Sequence, residues 1–143
     1  MRLPIVPIIA LIGTLAACSD HGSEPLPADP YRRWLSYKIH DYTIDQVREC
    51  FCIDGGATMR VTVRGDTVAQ VVRLSDSSLV SPKTASWYLP IDSLFGIIRN
   101  PSADSIVVEY DEHYGYPRVL DINPQQHPVD GGVLYRIVNF QVP

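Results

Sequence analysis

Basic residues are scarce in this chain, and lysine is nearly missing. Lys38 and Lys83 are its only lysines, and Arg32-Arg33 is a single short basic pair. The formal net charge is −4, and Arg2 lies in the leader, so the remainder is more acidic still. Nucleic-acid binding needs clustered Lys and Arg to meet phosphates, so this composition speaks against it. Catalytic signatures are also missing. The chain has no G-x-S-x-G elbow, no P-loop, no H-E-x-x-H and no G-x-G-x-x-G after a strand. No catalytic residues, no cofactor and no resident metal are therefore expected, and the protein reads as a non-enzyme. A membrane-spanning helix needs about 20 apolar residues, and no such run occurs. Cysteine is limited to three residues, Cys18, Cys50 and Cys52.

What is present begins with an address. Met1-Arg2 supplies a small positive start, and Leu3 to Ala17 is a short apolar run interrupted by Pro4 and Pro7. Small residues at its end followed by a polar stretch mark a processing site. Leu15-Ala16-Ala17-Cys18 resembles the bacterial lipobox, in which small residues precede a cysteine that becomes acylated and then forms the new N-terminus. The resemblance implies a signal peptide over 1–17 and lipidation of Cys18. Several acyl chains make a durable anchor where one binds only reversibly. Ser19, rather than Asp, follows the cysteine, which by Gram-negative sorting rules implies the outer membrane facing the periplasm. The segment through Asp29 is polar and Pro-rich and reads as a tether, with His21 solvated in it. Residues 18–30 are thus anchor and tether, and 31–143 form one α+β domain, a length that suits one domain and not two.

Asp29-Pro30 is a helix start, with Asp as the cap and Pro at the first helical position. Tyr31, Trp34 and Leu35 follow helical spacing toward the core. Tyr42 to Cys52 looks extended, with Tyr42, Ile44, Val47 and Phe51 as apolar members; the slip in alternation between Ile44 and Val47 suggests a bulge. Ala57, Met59, Val61 and Val63 alternate with polar residues, as in a strand with one wet face. Gly65-Asp66 makes a two-residue turn into a return strand, Thr67 to Leu74, which sets Val63 opposite Val68 and Met59 opposite Val72, with Gln70 breaking the pattern. The Arg64-Gly65-Asp66 tripeptide is explained by that turn. Ser75 to Tyr88 reads as a polar loop. Ile91, Leu94, Phe95 and Ile98 mark a second helix begun by Asp92. Strands follow around Ile106, Val108 and Tyr110, around Leu120 and Ile122, and over Val133 to Val142, the last apolar on both faces and hence central. The expected fold is α+β: an antiparallel sheet of about six strands, two helices on one face, and a possible α-β-β-β repeat.

These residues resemble a known family. Trp34, Tyr42, Cys50-Phe51-Cys52, the Met59 to Val63 strand, Asp92-Ser93-Leu94-Phe95, Tyr110-Asp111, Gly115-Tyr116-Pro117, Asp121 and Asp130 look like the bacterial lipoprotein family called domain of unknown function 6174. The resemblance spans about residues 31 to 141. It implies an architecture and a location and brings no activity.

Three groups of residues carry possible chemistry. Cys50 and Cys52 suit a disulfide in an oxidising compartment. In a regular strand their Cα atoms would lie about 6.6 Å apart with parallel side chains, so a bond requires a kink. Two reduced buried thiols, or a redox or metal-handling pair, are the alternatives. His40, His113 and His127 are available to such a metal but at no recognised spacing. Asp111, Glu112, Asp121 and Asp130 form an acidic group; Asp111 and Asp121 flank a hairpin and could approach one another around calcium, or could serve turns. The loop His113-Tyr114-Gly115-Tyr116-Pro117 is a candidate contact surface, because tyrosine favours interfaces; its rings could equally cover the sheet. The leading expectation is an envelope lipoprotein that binds a protein or envelope component through Asp111, His113, Tyr114, Tyr116 and Asp121. The rival is a thiol-redox or metal-handling protein built on Cys50 and Cys52. A third possibility, a secreted inhibitor of a foreign enzyme, is selected by nothing in the sequence.

Overall fold

The computed structural model describes residues 26–129 and 131–143, without the side chains of 127–129. The signal peptide, Cys18, His21 and Asp130 lie outside the described residues. Helix α1 (Pro30–Ser36) begins as its sequence requires: the Asp29 carboxylate accepts the Arg32 amide at 2.8 Å, and Pro30 takes the first helical position. Strands β1 (Tyr42–Glu49), β2 (Thr58–Arg64), β3 (Thr67–Arg73) and β4 (Ser78–Leu79) follow. Helices α2 (Pro82–Ala85) and α3 (Ile91–Arg99) lead to β5 (Ile106–Tyr110), β6 (Pro117–Ile122), a 3-10 turn (Pro124–Val129) and β7 (Val133–Gln141). All strand pairings are antiparallel, in the order β4-β3-β2-β1-β7-β6-β5.

Among the described residues the fold has a seven-stranded sheet and three short helices, against an expected six strands and two helices. The additions both fall in the segment read as a loop. Ser78–Leu79 pairs with Val72 and Arg73 over two residues, and Ser81 caps a four-residue helix. Elements this short have no periodicity to detect. The expected α-β-β-β repeat is not kept, because four strands follow α1 and three follow α3. Two meanders, β1-β2-β3-β4 and β5-β6-β7, join through β1 and β7, so β7 lies inside the sheet beside the middle strand β1, with one face open at Arg136 and Val138.

Register explains two irregularities of the pattern. Val63 faces Val68, but Met59 faces Arg73 rather than Val72. Gln70 lies across from Thr62, so Ala69 is the extra residue of a bulge between them. The bulge moves Gln70 off the apolar face and brings Val71, 3% exposed, onto it. In β1 the alternation does not slip against β2. Tyr42, Ile44 and Gln46 face Val63, Val61 and Met59 in unbroken register. The core position at 46 is simply a glutamine. The shift near Asp45 lies against β7, where Asn139 and Ile137 pair with Asp45 and Gln46 and Val138 is extra.

All three helices or their flanks engage the face bearing Tyr42, Ile44 and Gln46. Trp34 of α1, 2% exposed, meets Tyr42, Phe140 and Tyr116 edge-on at ring distances of 5.6, 5.9 and 6.5 Å. Phe95 of α3 stacks near Tyr110 and meets Tyr31 at a tilt. The Ile91 amide donates to the buried Tyr42 hydroxyl at 2.8 Å. The Gln46 carboxamide accepts from the Leu89 amide and donates to the Leu89 carbonyl, both at 3.1 Å, tying the α2–α3 connection to β1. Leu35, expected in the core, is 48% exposed, because a seven-residue helix has only one core-facing line and Trp34 occupies it. No helix among the described residues is long and apolar enough to cross a membrane.

Candidate functional site

The loop singled out from its tyrosines is largely structural. The Asp111 carboxylate accepts the amides of His113 and Tyr114, at 3.0 and 2.6 Å, and closes the turn as an Asx cap. Tyr116 is buried, 5.0 Å from the Phe140 ring; burial, with the Asp111 charge adding to it, pushes its phenol up to about 12. Tyr114 is half-buried, its ring tilted against those of Phe140 and Tyr37, both at 4.9 Å. His113 leans on Tyr37, and the Glu112 carbonyl accepts from Arg33. Gly115, at φ +83, lets this turn pack beneath the Pro30 carbonyl. The tyrosines therefore fold back onto the sheet. Asp121 does not approach Asp111: it sits inside β6 opposite Val107 and Leu134, several residues along the strand from the hairpin tip. Asp130 and the side chain of His127 are outside the described residues. Among the described residues no group of three or more His, Cys, Asp or Glu gathers as metal ligands would. His40 hydrogen-bonds Asp66 at 2.8 Å beside the Gly65-Asp66 turn, whose two residues have φ of 55 and 63.

The opposite end of the sheet is different. Strand β1 stops at Glu49, so Phe51 is not a strand residue. Cys50 and Cys52 are joined by a disulfide with Cα atoms 5.3 Å apart. The chain makes the necessary kink at once: the Cys52 amide donates to the Cys50 carbonyl, and the Gly56 amide returns to the Arg48 carbonyl. Asp54, at φ 63, reaches Arg73 at 2.9 Å and fastens the far side of the loop to β3. Between these fixings Phe51 is 85% and Ile53 76% exposed. A loop held at both ends thus presents two large apolar side chains to solvent, and shallow spaces of about 490 and 170 Å³ lie against it. Sequence reasoning counts Phe51 among the apolar members of an extended segment running to Cys52, but the strand ends at Glu49. The signal that could have corrected this was the Cys-x-Cys spacing, which cannot be bridged in a straight strand.

Arg48 completes the site. As the residue after Gln46 on the apolar face of β1, it is directed under the helices. Its guanidinium lies 5.4 Å from the Trp87 ring and 5.9 Å from the Tyr135 ring. Its Nη1 reaches Cys50 Sγ at 2.8 Å and Cys52 Sγ at 3.0 Å. Nearby carboxylates are engaged elsewhere: Glu49 with Arg136, Asp54 with Arg73.

Two other polar clusters have structural explanations. On the open face of the sheet, Arg60 grips Asp45 through two hydrogen bonds and Asn139 adds a third. The Arg60 hydrogen bond above all holds the Asp45 carboxyl below the usual range. Asp92, in the first turn of α3, is raised by burial and by the Asp66 charge, and lines a small cleft with Trp34, His40 and Asp66.

No curated protein and no solved structure matches the chain. A family model described as a family of unknown function, DUF6174, matches residues 28–142. With the match covering nearly all of the described fold, the chain belongs to that family.

Proposed function

We propose that this protein is a cell-envelope lipoprotein, anchored through Cys18, that binds a protein partner through the disulfide-held loop bearing Phe51 and Ile53. The carrying observation is the pair's exposure, 85% and 76%, on a loop fixed by a disulfide and an Asp54–Arg73 ion pair. A mobile loop could fold such side chains back; here the backbone that carries them is fastened on both sides. Burying each side chain against a partner would contribute about 1.5–3 kcal/mol.

The position of the loop supports the same reading. Arg33 bonds the carbonyls of Pro27 and Glu112, so the start of the fold lies beside the 111–116 turn. That turn and the end of β7 occupy one end of the sheet, and the 50–56 loop the other. Phe51 and Ile53 thus stand at the end of the fold opposite the start of the tether, where a soluble partner could reach them; in a Gram-negative cell that is the periplasm. The anchor rests on the lipobox and the short apolar leader.

Photo-crosslinking in the producing cell, with a photoreactive phenylalanine at position 51 or 53 and a control at Tyr114, tests the contact. A discrete crosslinked protein at 51 and 53, lost on adding Phe51→Ser or Ile53→Ser at the other position, is expected. Failure to capture any protein at either position across growth conditions overturns the contact. Intact mass of the membrane-extracted protein tests the anchor, which a soluble, unacylated product would refute.

A further inference from the structure

The Cys50–Cys52 pair has a setting that a purely structural staple does not need. Cys52 is exposed, so one sulfur is open to attack from solvent. Arg48 touches both sulfurs and is held there between Trp87 and Tyr135. Among the described residues no carboxylate neutralises this guanidinium, and its Nε is buried without a hydrogen-bond acceptor. A disulfide is neutral and gains little from an adjacent cation. A thiolate gains a charge-assisted hydrogen bond and Coulombic attraction in a partly desolvated site. The arrangement favours the reduced, ionised state over the oxidised one. Thiolates next to Arg or Lys are the better leaving groups and the more oxidising disulfides.

We propose that Arg48 makes Cys50–Cys52 an exchange-competent disulfide that accepts two electrons from a polypeptide dithiol, with Phe51 and Ile53 receiving the apolar chain around it. A substrate thiolate attacks the exposed Cys52 Sγ. A bond forms between the two sulfurs, the Cys50–Cys52 bond breaks, and Cys50 leaves as a thiolate facing Arg48. The second substrate thiolate then attacks the substrate sulfur of the mixed disulfide and expels Cys52. The substrate dithiol is oxidised to a disulfide, the Cys50–Cys52 pair is reduced, and the two substrate protons pass to solvent or to the new thiols. Arg48 acts here as a positioning residue for charge.

The test uses full-length protein extracted from membranes and equilibrated at pH 7.5 against a series of reduced-to-oxidised glutathione ratios. Acid quenching, alkylation and peptide mass read Cys50 and Cys52 separately from Cys18. The wild-type pair is expected to reduce within the series. Arg48→Met should require at least a tenfold more reducing ratio, about 30 mV for a two-electron couple, with Arg48→Lys between them. In reduced wild-type protein the alkylation rate of Cys50 should titrate about two pH units under the ordinary thiol value of about 8.5, and Arg48→Met should restore it. Cys50→Ser should yield a Cys52–glutathione mixed disulfide. A pair that stays oxidised throughout the series, or an unshifted Arg48→Met equilibrium, overturns the proposal. If Arg48→Met does not fold, the wild-type alkylation profile and Arg48→Lys decide the matter alone. The inference stands apart from the partner reading: the glutathione equilibrium and the Cys50 alkylation profile are read on purified protein with no partner present, so a failed crosslink at 51 and 53 leaves them in force, and an unshifted Arg48→Met equilibrium leaves the crosslink in force.

Discussion

Replacing Gln46 by leucine should destabilise the fold although leucine is apolar and of similar size. Gln46 is fully buried and makes two 3.1 Å hydrogen bonds to the backbone of Leu89. Leucine leaves the Leu89 N–H and C=O without that partner, at about 1–3 kcal/mol for each group. Burying the extra apolar surface returns about 1–2 kcal/mol. Water reaches the half-buried Leu89 in part, so the net loss should be about 1–4 kcal/mol. Urea unfolding, followed by Trp34 and Trp87 fluorescence without reductant, should show a lower midpoint and an unchanged m-value. With m of about 1–3 kcal/mol/M, a loss of about 2 kcal/mol moves the midpoint by about 1 M. Gln46→Glu sharpens the test. A neutral glutamic acid can still donate to the Leu89 carbonyl, whereas the carboxylate cannot and is costly to bury. Its folded-state pKa should therefore be raised, so its stability relative to wild type should be highest below the ordinary value of about 4.3 and fall as pH rises through the raised one. A Gln46→Leu loss under about 0.5 kcal/mol, or a pH-independent Gln46→Glu difference, would refute the idea that this side chain ties the α2–α3 connection to the sheet.

Two further predictions concern the turn at residues 111–116. Burial pushes the Tyr116 phenol up from 10.0 to about 12, so folding strengthens its hold on the proton. The resulting stability is complete below pH 10 and lost between pH 10 and 12, about 3 kcal/mol at about 1.4 kcal/mol per pH unit. Tyr42, raised by the same cause, shares in that loss, so Tyr116→Phe should reduce but not abolish the fall in urea midpoint between pH 9 and 11.5. An unaltered slope in the variant would count against it. Gly115→Ala should cost more than about 1 kcal/mol, since φ is +83 and the added methyl meets the Pro30 carbonyl. Wild-type stability in that variant would show that the turn and the start of α1 are not packed as described.

Much of the architecture was legible because its signals are local. The 91–98 helical spacing and the alternation from Ala57 to Val63 follow from periods of 3.6 and 2 read against burial, and the Asp29 cap from a carboxylate set before Pro30. Strand β7 does lie inside the sheet, but Arg136 and Val138 are exposed, so its apolar run does not come from cover on both faces. The two-residue β4, the four-residue α2 and the bulge at Ala69 were not legible. Each exists because neighbours supply its hydrogen bonds, and none has enough residues to set a period. Phe51 and Leu35 were misplaced for the converse reason. Both continue an apolar pattern beyond the point where a partner surface exists to cover it.

By itself the sequence determined the acidic, lysine-poor character of the chain, the types of its longer elements, the turn at Gly65-Asp66 and the nearness of two cysteines that the structure joins. Those properties depend on side-chain chemistry and on neighbours a few residues away. Only the tertiary structure decided that Tyr116 is a core residue while Phe51 stands in solvent. It also decided that Asp111 and Asp121 lie apart, and that Arg48 is pinned between Trp87 and Tyr135 against both sulfurs. These outcomes depend on which strands become neighbours and where each strand stops, and no local period encodes either.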